Sequence, residues 1–259
     1  MMIRKQIYIK AIITVLFIGT VIIFFAFFYS NNNTNNREFG NVPDYSKTTN
    51  KVTGPEKLPS TNPTPSPEDE LNSTYPLHKN IYATMFWVGE KATDANDYIP
   101  NEASAWDKDW LEHFGGIDNP YSREGFYPKS FKPNENPFYF ALPFNDFDES
   151  GKKEDLSFVP WYSTSETSVL KNKWIKISHK GNVCFGQWED VGPFEQNDYQ
   201  YVFFGQIPKN ERAGIDLSPA LRTCLKMATN DFVDWQFIDE VNVPQGPWKE
   251  TVTISQLNW

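Results

Sequence analysis

Two stretches of the chain hold aspartates where a carboxylate could meet a ligand. One reads Gln187-Trp188-Glu189-Asp190-Val191-Gly192-Pro193-Phe194, the other Ala213-Gly214-Ile215-Asp216-Leu217-Ser218-Pro219-Ala220. Each also has a purely structural account. Asp190 ahead of Gly-Pro is a strand running into a turn. Ser218 ahead of Pro219 is an N-cap followed by a proline at the first helical position. Asp146 is a third candidate carboxylate, which could reach a groove or simply cap its own turn. Aromatic residues are abundant, with 9 Trp, 12 Tyr and 21 Phe. Flat rings suit the C–H faces of sugars, but in β domains most of them fill the core. Trp87, Trp161 and Trp188 are the groove candidates. No metal site and no cofactor are expected: His78, His113 and His179 are scattered and no Cys-x-x-Cys pair occurs.

The elements that must carry these residues are short. Strands are expected at 81–88, 138–142, 174–178, 183–188, 201–204, 233–238 and 250–254, all β-branched or aromatic runs bounded by Gly, Pro, Asn or Asp. Two small helices are expected. One covers 103–113, where Trp106, Trp110 and His113 fall at helical spacing; the other covers 219–226 behind Ser218. Many short strands with two small helices point to a mainly β domain, a compact barrel with appended loops. Cys184 and Cys224 could form a disulfide or stay as two small buried side chains.

Ahead of this domain the texture differs. Residues 11–30 carry no charge, and at ~1.5 Å per residue they cover roughly the 30 Å of a bilayer core. Arg4, Lys5 and Lys10 precede the run and the next basic residue is Arg37. The positive-inside bias then leaves residues 1–10 in the cytoplasm and all that follows the span outside it. A cleaved signal peptide is the alternative, but this run ends in bulky Phe-Phe-Ala-Phe-Phe-Tyr rather than small residues. Residues 31–75 are dominated by Asn, Thr, Ser and Pro and read as a disordered stalk. The expectation is a single-pass membrane protein, touching lipid through residues 11–30 and presenting residues 76–259 outside the cytoplasm. Setting Arg4, Lys5 and Lys10 aside takes the net charge from −9 to −12. Such a balance argues against nucleic acid and against docking on anionic lipid, and fits a neutral or partly cationic ligand better.

Taken together, Asp190, Gly192-Pro193-Phe194 and Ile215-Asp216-Leu217-Ser218-Pro219 resemble the double-psi β-barrel superfamily of bacterial expansins, rare lipoprotein A and family 45 glycoside hydrolases. Val233-Asp234-Trp235-Gln236-Phe237 is similar to a later expansin strand, and Tyr82-Ala83-Thr84 to the opening one. The resemblance covers about 60 residues plus that short opening. It implies a six-stranded double-psi barrel with insertions. It also implies a groove lined by Asp216 as acid or key ligand-binding residue, Asp190 as its electrostatic partner and Thr84 as a neighbour. The chain departs from the pattern at Gly192, where expansins carry tyrosine. It departs again at Val88, where the hydrolases carry their aspartate base, with Glu90 close by but out of register. Residues 89–170 have no counterpart, and the loop 195–212 is long. A missing base makes two-carboxylate hydrolysis the less expected chemistry. Binding and loosening of a wall polysaccharide such as peptidoglycan, or lytic transglycosylase-like cleavage by one acid, are the implied functions. A surface protein–protein interaction module on the same barrel is the alternative.

Overall fold

The computed structural model describes residues 74–256. The apolar span at 11–30, and the stalk up to residue 73, lie outside the described residues. Among the described residues no helix is long and apolar enough to cross a membrane.

Six strands close into a barrel: β1 (His78–Met85), β2 (Tyr139–Leu142), β3 (Trp174–His179), β4 (Asn182–Val191), β5 (Ile215–Leu217) and β6 (Asp231–Ile238). Around the barrel the order is β1-β6-β3-β4-β2-β5, returning to β1. Two of the contacts, β1 with β5 and β2 with β4, are parallel and the others antiparallel. Strand alternation fills the interior. Val233, Trp235 and Phe237 of β6, Ile175 and Ile177 of β3, Ile215 and Leu217 of β5, and Phe140 and Leu142 of β2 are all buried in one core.

The expected strand at 201–204 is instead helix α2 (Tyr199–Phe204). Its run of aromatic and β-branched residues suits a strand, but Gly205 at φ 69° ends it as a helix, with Gly205 N and Gln206 N donating to Tyr201 O and Gln200 O. Tyr201, Val202 and Phe203 enter the barrel core, where the Tyr201 hydroxyl accepts from Trp235 Nε1 at 2.9 Å. The expected strand at 250–254 is a strap without a backbone ladder. Both edges of β4 are occupied, by β3 and β2, so Thr253 pairs with a side chain. Thr253 N donates to Gln187 Oε1 at 2.9 Å and Gln187 Nε2 donates to Thr253 O at 3.0 Å. The expected helix at 103–113 shrinks to α1 (Trp110–Phe114). Ser104 Oγ accepts from Trp106 N and Asp107 N, making a turn there, and Trp106 and Trp110 go to different cores.

That second core explains the long insertion after β1. Phe86, Val88, Trp110, Phe114, Tyr139 and Ala141 are buried together, with Leu111 and Phe131 packed on them. β2 is therefore covered on both faces, by the barrel interior and by the insertion. The Tyr139 hydroxyl accepts from Val88 N at 3.0 Å and donates to Asp118 at 2.9 Å, while Asp118 is paired with Arg123. Gly89 holds the entry to the insertion at φ 77°, where a Cβ would stand 2.8 Å from Ile117 Cγ1. Cys184 of β4 and Cys224 of helix α3 (Pro219–Cys224) form a disulfide.

Candidate active site

The register of four adjacent strands places the two sequence-selected aspartates in one row. Thr84 of β1 lies opposite Asp216 of β5, Asp216 opposite Ala141 of β2, and Ala141 opposite Asp190 of β4. Partners across a ladder share a face, so these four side chains lie on the outside of the barrel, away from Ile215 and Leu217. Two strand spacings separate Asp216 from Asp190, about 10 Å between Cα atoms. The residue between them is alanine, which leaves the gap open.

Asp190 reaches this row through a β-bulge. Trp188 pairs with Phe140 but Asp190 pairs with Ala141, so β4 advances two residues while β2 advances one. Without the extra residue, alternation would send Asp190 into the core beside Trp188; the bulge turns it outward. Its Oδ1 then accepts from Ala105 N at 2.7 Å and Val191 N at 2.8 Å. Asp216 precedes the cap of α3. Ser218 Oγ accepts from Leu221 N and Tyr139 N, fixing the helix to β2 just beyond the aspartate. The Thr84 hydroxyl donates to Asp216 Oδ1.

The row forms the floor of a cleft of about 340 Å³. The cleft is also lined by Trp87, Glu90, Ile99, Asn101 and Tyr121 from the end of β1 and the insertion, by the turn Val191–Phe194, and by Arg222 and Asn230. In the turn the Gly192–Pro193 peptide is cis and Gly192 sits at φ 155°, where a Cβ would be 3.6 Å from Asp216 Oδ2. The backbone itself lies against Asp216 here, in a conformation that disfavours a side chain. The long loop 195–212 does not cover the aspartates. None of its residues lines the cleft, and its helix α2 packs into the barrel.

Three carboxyls of the cleft hold their protons more tightly than usual. Burial pushes Asp216 up to about 6, against the bond from Thr84, which favours the ionised form. Asp190 is pushed up to about 7 by burial, with the charge of Asp216 adding to it and the two N–H donors opposing. Glu90 also rises to about 7, by burial first and the Asp216 charge second. Its Oε2 accepts from Asn101 Nδ2 at 3.0 Å. The charge of Asp216 and those of its two neighbours disfavour one another, so the three carboxyls titrate as a coupled set.

Of the other sequence-selected residues, Thr84 and Trp87 line this cleft. Trp188, Trp161 and Asp146, expected in the groove, do not. Trp188 is fully buried, stacked on Phe140 inside the barrel. Trp161 packs on Tyr75 and Phe237 and donates Nε1 to Val169 O, lining a separate 100 Å³ hollow. Asp146 is buried and accepts from Trp106 Nε1, Ser168 Oγ and Val169 N, a structural anchor for the 160s loop. Glu90 and Tyr121 were missed as site residues. Glu90 was visible only as an acidic residue near β1, and Tyr121, 86% exposed, belongs to an insertion with no sequence signal.

Comparison with known proteins finds no matching family model and no matching curated protein. Among solved structures, the Streptomyces papain inhibitor is similar over 63% of this chain and 96% of that one, with 12% sequence identity and a TM-score of 0.28.

Proposed function

We propose that this chain presents a double-psi barrel outside the cytoplasm, anchored by residues 11–30, and that its cleft binds and cleaves a cell-wall polysaccharide with Asp216 as proton donor. The observation that carries the reading is the row Thr84–Asp216–Ala141–Asp190 on the floor of an open cleft. Cleaving a glycosidic bond needs a carboxylic acid still protonated near working pH, beside groups that tolerate an oxocarbenium-like charge. Asp216, held up to about 6 by burial, fits the donor below that pH. As it gives its proton to the leaving glycosidic oxygen, a hydroxyl of the same sugar closes on the anomeric carbon and returns a proton to the Asp216 carboxylate, which the Thr84 hydroxyl stabilises meanwhile. Burial raises Asp190 and Glu90 as well, to about 7 each, and in their protonated form they do not repel it. Trp87 and Tyr121 line the cleft with their rings edge to face, 6.4 Å between centroids, and either ring is the kind of flat surface on which a sugar stacks. The parallel pairs of the barrel and the Asp-Leu-Ser step into α3 support the double-psi assignment. The Cys184–Cys224 disulfide supports an oxidising compartment.

The test is mass spectrometry of peptidoglycan and of plain β-glucans after incubation with the full chain and with Asp216→Asn. Anhydro or new reducing ends from the wild type, lost in Asp216→Asn with its fold intact, are expected. Co-sedimentation with the polysaccharide and no new ends would reduce the function to binding. Neither products nor sedimentation would refute the glycan reading.

A further inference from the structure

One cation of the cleft has no side-chain partner among the described residues. The described residues include three arginines. Arg123 pairs with Asp118 and Arg212 with Asp97, but Arg222 enters no ion pair, and its buried Nε has no hydrogen-bond partner. Arg222 stands on α3, in the same cleft as Asp216, Trp87 and Tyr121, and is half-buried there. A partly desolvated guanidinium with an orphaned donor is unfavourable unless an anion completes it. The planar fork matches a carboxylate through two parallel N–H bonds. The cleft that holds it is also lined by Trp87 and Tyr121, whose rings meet edge to face, so that either one can offer a flat apolar face to a sugar ring. The floor carboxyls make no ion pair with Arg222, so they do not neutralise it.

Resting on the glycan reading above, we infer that the cleft selects a carboxylate-bearing polysaccharide, with a sugar ring against Trp87 and Tyr121 and its carboxylate on the Arg222 guanidinium. The acidic balance of the whole chain does not oppose this. Net charge acts over distances that salt screens within about 8–10 Å, whereas Arg222 acts at contact. The neutral or partly cationic ligand expected from composition is thereby replaced by an acidic one, on the strength of one local cation.

The test compares polymers that differ in the carboxyl alone. Polygalacturonate and peptide-free peptidoglycan strands are each paired with their carboxyl-reduced form, and dextran sulfate is included as a carboxyl-free polyanion. Affinity for the full chain is measured at fixed salt, for wild type, Arg222→Gln and Arg222→Lys, with thermal melts as the check on folding. At least one acidic glycan is expected to bind about tenfold more tightly than its reduced form. Arg222→Gln is expected to bring the two to the same level, and Arg222→Lys to fall short of wild type. Equal affinity for acidic and reduced forms would overturn the inference and leave the glycan reading standing. Dextran sulfate bound as tightly as the best carboxylated polymer would overturn carboxylate selection. A preference that survives Arg222→Gln would remove the residue from the role. No binding to any polymer, acidic or reduced, would overturn the inference together with the reading beneath it.

Discussion

Replacing Asp190 with asparagine is expected to stabilise the domain at pH 8 and to leave its stability unchanged near pH 4. The amide oxygen of asparagine can still accept from Ala105 N and Val191 N, so the bulge that turns the side chain outward keeps its anchor. What the substitution removes is the cost of ionising a buried acid. In the folded protein Asp190 titrates near 7 instead of its ordinary 3.8, chiefly because it is buried. A raised folded value means that the native state keeps a proton which the unfolded chain gives up. Native stability then falls as pH rises from about 4 to about 7, and the loss is complete above that. The gap is worth up to about 4 kcal/mol at 1.36 kcal/mol for each pH unit. Urea unfolding followed by tryptophan fluorescence at pH 4, 6 and 8 reads this directly, provided the m value is unchanged. Asp190→Asn should gain stability steadily across that range, by as much as the few kcal/mol the wild type loses. A variant equally destabilised at all three pH values would refute the reasoning, because it would mean that Asp190 serves the fold as an ionised acceptor.

Three further outcomes follow from the same geometry. Thr84→Val, which keeps the shape of the side chain but removes its hydroxyl, should raise the pKa of Asp216 above its present value of about 6. The alkaline limb of any glycan-cleaving pH profile should then move to higher pH, and an unmoved limb would take Thr84 out of the site. Removing the disulfide by Cys184→Ala with Cys224→Ala should cost about 4 kcal/mol on the chain-entropy account of a loop of about 40 residues; denaturant midpoints read it, and no change would show that the bridge is not formed. Trp188→Ala should cost about 3–5 kcal/mol through the cavity it opens in the core, and in calorimetric melts a loss under 1 kcal/mol would return Trp188 to the surface.

Parts of this molecule were legible in the sequence because local chemistry and tertiary packing agree. Ser218-Pro219 has the form of a helix start and opens one, with Asp216 two residues ahead of the cap on a short strand. The alternating residues of β6 place Val233, Trp235 and Phe237 inside, as their spacing required. Other parts were not legible because the deciding partner is distant in sequence. The outward aim of Asp190 depends on one extra residue in β4 measured against β2, which no local pattern reveals. The run 201–204 has strand composition, but Gly205 and the need to fill the barrel interior make it a helix. Trp188 and Trp161 have the composition of a sugar platform and are spent on the core instead. Glu90 and Tyr121 arrive at the cleft on an insertion whose fold depends on its own small core around Tyr139.

The most direct measurement of the central claim is chemical-shift mapping of the isotope-labelled chain titrated with soluble oligosaccharides of wall glycans. Saturable shifts should appear at Thr84, Trp87, Ala141, Gly192 and Tyr121, around the two aspartates, and Asp216→Asn should weaken them. Saturable shifts centred on Trp161 and Tyr75, or none at any oligosaccharide concentration, would contradict the assignment of this cleft to a glycan.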